Sequence, residues 1–180
     1  MGLEQISSHV CGQVNRWAPG GVLLPFYQRC TGLYVGAAFA AMLYALLRPR
    51  PTARVLWIHG LLLLQMVPFG YHFVPQNGTI RTVTGQLFAF GVMYFLALNP
   101  AAQLGIWARN PNEHVRLYAI GALASIVVVQ LAVHWGGIAT GFVLAWTGFV
   151  GLLVYSALMV ANLAALPMAI RSLFHGPQGD

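Results

Sequence analysis

Six histidines and two cysteines are the side chains in this sequence best suited to hold a metal or a cofactor. His72 and His134 each close a long apolar run, and Gln130 stands one helical turn before His134 on the same face. Two imidazoles from two helices form an axial pair for a haem, and a single imidazole can hold a chlorophyll-type magnesium. His72 and His134 are therefore the candidate ligands of a tetrapyrrole. His9, Cys11 and Cys30 form a candidate metal set on the same side. Cys11 and Cys30 are also a candidate disulfide, although two cysteines make no disulfide framework and no four-ligand zinc site on their own. A second reading of the two histidines stands beside the first. Next to Tyr71, Phe73 and Trp135 they fit an interfacial aromatic belt, with water or headgroups as their partners. His59 lies about 220° around its helix from His72 and cannot share a site with it. His114 and His175 fall in a loop and in the tail.

Carboxylates, which most other membrane chemistry needs, are nearly missing. Glu4, Glu113 and Asp180 are the three acidic residues, and none lies in an apolar run. Intramembrane proton relays and cation pathways commonly use such a group, and glycosyl or phosphoryl transfer needs carboxylates at its edge. The sequence contains no G-x-S-x-G or H-E-x-x-H motif, and Ser125 and Ser156 have no histidine within a helical turn. An enzyme is the least supported class.

The elements that must position these residues follow from composition. Of 180 residues, 58% are hydrophobic and 7% charged, against roughly 25% charged in a soluble domain. Water-facing surface cannot be built from so few ionisable groups, so the expected fold class is an all-α polytopic transmembrane bundle. The net charge of +6 is too small and too dispersed for nucleic acid. A bilayer core needs about 20 apolar residues per helix. Five runs qualify: 30–47, 55–74, 80–98, 117–135 and 138–165, the last long enough to tilt. Before them, Pro19, Gly20, Gly21 and Pro25 break any helix. Residues 1–29 are accordingly expected to form an irregular interfacial cap, without a signal-peptide pattern. Pro68 should kink the second span and free the Leu64 carbonyl, with Gln65 placed to satisfy it.

Arginine sets the expected orientation. Arg48, Arg50, Arg54, Arg109, Arg116 and Arg171 fall on one side, and Arg16, Arg29 and Arg81 on the other. Short loops rich in arginine stay cytoplasmic, which places the N-terminus outside and the C-terminus inside.

Residues Arg29-Cys30-Thr31-Gly32-Leu33-Tyr34-Val35-Gly36 resemble the signature of a family of small prokaryotic membrane proteins, the domain of unknown function two thousand and eighty-five. That family carries an N-terminal Cys-His pair, then Cys-x-Arg-Cys-x-Gly-x-Tyr-x-Gly at the first span and an Arg followed by Thr-Gly at the third. Arg81, Thr84 and Gly85 fit the later element. Gly12 replaces the family's histidine and Tyr27 the first cysteine of its pair, so two of four candidate ligands are gone. The resemblance covers 8–98. It implies a family-like three-span region over 30–98 in the prokaryotic inner membrane; the loop over 99–116, cytoplasmic by its arginines, and the two spans of 117–180 then look like an addition. It implies no mechanism.

Packing signals are plainer. Gly32, Gly36 and Ala40 place small residues along the first span, and Gly141, Ala145 and Gly148 along the fifth, which lets another backbone approach closely. Their partner is the chain's own bundle or another subunit. The expectation that follows is a non-catalytic accessory subunit of a larger membrane complex, in contact with lipid bilayer and other membrane-protein subunits. A tetrapyrrole-binding protein and a small channel or carrier are the alternatives, the last weakened by the lack of an internal repeat.

Overall fold

The structure is a computed structural model, and it describes residues 15–70, 73–103 and 115–175, with side chains placed for 15–70, 73–98 and 115–167. Helix α1 spans Gln28–Leu47, α2 Ala53–Leu64, α3 Met66–Gly70, α4 Gly78–Gln103, α5 Val115–Trp135 and α6 Ile138–His175. Helices α2 and α3 together make one crossing. Among the described residues five segments are therefore long and apolar enough to span a membrane, and the fold is an all-α polytopic bundle.

Local chemistry sets the helix ends. Arg48 closes α1 in the left-handed region at φ 45, its N–H bonded to the Tyr44 carbonyl, and Pro49 and Pro51 prevent the helix from continuing. Thr52 caps α2 by accepting from the Val55 N–H. Asn77 caps α4, its Oδ1 accepting from the Ile80 N–H at 2.8 Å. Gly136 and Gly137 join α5 to α6 directly.

Helices α1 and α4 form the centre of the bundle. A Cβ on Gly32 would overlap the Thr82 carbonyl oxygen, one on Gly85 the Arg29 carbonyl oxygen, and one on Gly36 the Gln86 side chain. Ala37, Ala40, Ala89, Phe90 and Met93 continue this interface as a fully buried cluster. Helix α6 lies on the other side of α1, where Gly151 meets the Tyr34 carbonyl. Across the bundle, Asn162 Nδ2 donates to the Leu96 carbonyl at 2.8 Å, and Gln86 Nε2 donates to Ser125 Oγ at 3.1 Å. In a membrane such bonds fix pairing, because lipid offers polar groups no alternative partner.

Two details go beyond the expectations. From residue 15 the cap runs through a 3-10 turn at Pro19–Gly21 and inserts Leu24, Phe26 and Tyr27 among the helices. Burying three large apolar side chains against α1, α5 and α6 is more favourable than leaving them at the surface. Gly20, at φ 58, lies flush against the Gly137–Ile138 backbone, an approach only glycine allows. The second span breaks at Gln65 as expected, but the Gln65 amide does not repair its own helix. Its Nε2 donates across the bundle to the Thr84 carbonyl at 3.0 Å.

Candidate functional site

The end of the bundle formed by the cap, the start of α1, the start of α4 and the α5–α6 turn carries most of the polar chemistry. Trp17 Nε1 donates to Thr82 Oγ1 at 2.7 Å, and the Thr82 hydroxyl lies 3.0 Å from the Gln28 carbonyl and 2.9 Å from that of Gly78. His134 is hydrogen-bonded through Nε2 to Thr79 Oγ1 at 3.0 Å, and its ring meets Trp17 edge to face at 4.9 Å. A metal on that Nε2 would have to displace Thr79. Gln130, placed on the His134 face by sequence, makes no bond to it, and both polar atoms of its amide are buried without a partner. His72, His9 and Cys11 lie outside the described residues. Cys30 is buried in the first turn of α1 and is not a free thiol. Among the described residues no three metal-ligating side chains meet.

Two arginines share this end. Arg29, in the first turn of α1, donates through Nη2 to the Phe69 carbonyl at 2.8 Å and to Gln76 Oε1; Gln76 Nε2 donates to the same carbonyl at 2.5 Å. The guanidinium thus ties the end of α3 to the connection leading into α4. Arg81, in the first turn of α4, is close enough for its charge to act on Arg29. The Nε atoms of both residues are buried without a partner. No carboxylate exists among the described residues to neutralise either one.

A second polar cluster lies nearer the other end, and sequence reasoning passed over it. His59 of α2 is 4% exposed, its ring stacked on Tyr94 at 4.0 Å. Its Nδ1 lies 2.8 Å from the Val55 carbonyl and its Nε2 3.3 Å from the Tyr118 hydroxyl. A carbonyl only accepts, so Nδ1 carries the proton and Nε2 accepts from Tyr118. His59 and Tyr118 border an almost wholly apolar cavity of about 260 Å³ between α2, α4 and α5. The sequence signal was available: a histidine inside an apolar helix must find a partner. What it lacked was the partner, 59 positions away.

The small-residue positions are assigned by contact. Gly32, Gly36 and Ala40 face α4, while Gly141 lies against Pro19 and Val22 of the cap, Gly148 against the Phe26 ring, and Ala145 beside the Leu24, Val35 and Val129 cluster. All six are occupied by this chain's own residues.

Fold and site define a polytopic helical membrane protein with a polar end that carries Arg29 and Arg81. Residues 18–95, from the cap through most of α4, match the family described as Predicted membrane protein (DUF2085). No curated protein and no solved structure matches the chain. The match covers the elements that bring Arg29, Gly32, Gly36, Arg81 and Gly85 together, and α5 and α6 lie beyond it.

Proposed function

We propose that the protein is a non-catalytic accessory subunit of a larger integral membrane complex. One observation carries this reading. Ser156, Ala157, Ala161 and Ala164 in the second half of α6 are exposed, so a run of small side chains is left uncovered by any described helix of this chain. Small residues at such spacing allow a foreign helix to approach to backbone contact, where packing drives association in lipid. Four polar groups of the spans support the same reading, since Gln65, Gln86, Ser125 and Asn162 bond within the chain and serve its assembly. On this proposal the arginines at positions 48, 50, 54 and 116 face the cytoplasm of a prokaryotic cell, and the cap faces outside. Cys30 is not a free thiol and the chain has one other cysteine, which supports a Cys11–Cys30 bond on the oxidising side.

The test is gentle extraction of the native protein, identification of co-purifying chains, and an absorption spectrum of the same fraction. A photo-crosslinker at Ala161 should capture one defined membrane subunit, and Ala161→Leu should release that subunit while this protein stays folded. A monomeric preparation with a Soret band would move the function to tetrapyrrole binding. Capture of lipid alone at Ala161 would remove the accessory reading.

A further inference from the structure

We propose that Arg29 and Arg81 form a binding site for a phosphate group at the cap end of the bundle. Arg29 and Arg81 stand in the first turns of two helices packed to backbone contact, Gly85 against the Arg29 carbonyl and Thr82 Oγ1 on the Gln28 carbonyl, with no carboxylate among the described residues. Such a pair repels itself, and an anion bridging both removes the repulsion. The donors are partly pre-assigned. Arg29 Nη2 is held by the Phe69 carbonyl and Gln76, which fixes the orientation of the planar group. The Nε–H groups of both arginines are left buried and unbonded. Buried donors without partners are costly, and a guanidinium fork presents paired N–H groups matched to the oxygens of phosphate.

The placement adds a second reason. Both residues lie in the first turns of their helices, where the macrodipole disfavours a cation and favours an anion. The stability of these turns is therefore better served with an oxyanion between the arginines than with the arginines alone. A helix end at the membrane face meets two sources of that chemistry: the headgroup of an anionic phospholipid, and phosphate in solution. Both present the same oxygens to the same donors.

The experiment uses the whole purified protein. In the lipid arm, it is reconstituted in nanodiscs containing phosphatidylglycerol and phosphatidylcholine, and the lipids retained on transfer to detergent are counted by native mass spectrometry. In the solution arm, inorganic phosphate is titrated against protein in a neutral detergent and followed by phosphorus NMR. Arg81→Gln is the principal variant because Arg29 also ties the end of α3 to the connection before α4. It should lower retention or affinity roughly tenfold in whichever arm binds, as expected for losing hydrogen bonds to a charged group. Arg116→Gln, an exposed arginine at the opposite end, should not. Retention of phosphatidylglycerol identifies the headgroup, and phosphate binding without lipid retention identifies the free ion. A measurement on the unmodified protein stands beside the variant: phenylglyoxal labelling of Arg81, mapped by mass spectrometry, should fall several-fold with the bound species present. No binding in either arm, or labelling and retention indifferent to Arg81, overturns the site.

Discussion

Gly85 of α4 lies against the backbone carbonyl of Arg29 in α1, with no room for a Cβ between them. One turn earlier on α4 stands Arg81. The contact that locks the central helix pair is thus also what brings together the turns that carry Arg29 and Arg81. Moving the helices apart by the width of a side chain would separate the guanidiniums and open the core beneath them.

Gly85→Leu should therefore fail to assemble. The added side chain meets backbone, which cannot rotate away, and overpacking of this kind costs about 1–3 kcal/mol or more. Gly60, on the outer side of α2 with nothing near it, is the control. Gly60→Ala should be neutral, or stabilising by up to about 1 kcal/mol through helix propensity. Yield of monodisperse protein and thermal stability in detergent check both; equal losses at the two positions would contradict the packing described.

The Gln86–Ser125 bond couples α4 to α5 inside the membrane. Ser125→Ala should destabilise by about 0.5–1.5 kcal/mol, with a double-mutant coupling to Gln86 near the average of about 0.6 kcal/mol for interhelical bonds. Reversible unfolding in mixed micelles measures the coupling, and a value of zero would mean the two side chains do not meet.

His59 should be found as the Nδ1–H tautomer, because the Val55 carbonyl can only accept. Nitrogen NMR of labelled histidine reads the tautomer directly. Tyr118→Phe removes the donor to Nε2 and should shift that nitrogen while costing about 1 kcal/mol or less. An Nε2–H ring would rule out the arrangement.

Orientation is checked by single engineered cysteines. On the proposed orientation, in which the arginines at 48, 50 and 54 retain their loop in the cytoplasm, an impermeant thiol reagent on intact cells should label a cysteine beside Asn77 and miss one beside Arg50. The opposite pattern would invert the bundle. Denatured protein from the same cells should show Cys30 blocked to maleimide until reductant is added.

Sequence alone determined the class of protein and the number of crossings. Apolar runs of bilayer length have one stable home, and several of their ends are set by local chemistry that needs no tertiary partner, as at Arg48, Thr52 and Asn77. The faces were a different matter. A soluble helix announces its inner side by a polar outer side, but these helices are apolar all round, because lipid is as apolar as the core. So the glycines at 32, 36, 141 and 148 were visible as close-approach positions, while their partners, α4 for one pair and the cap for the other, were decided only when the chain folded. The same holds for the cap, whose Leu24 and Phe26 read as interfacial and are buried. It holds for His59, whose partner is far along the chain, and for Arg29 and Arg81, which an extended chain keeps apart. Long-range pairing is set by the crossing of α1 with α4, and a crossing is a property of shape that no local pattern encodes.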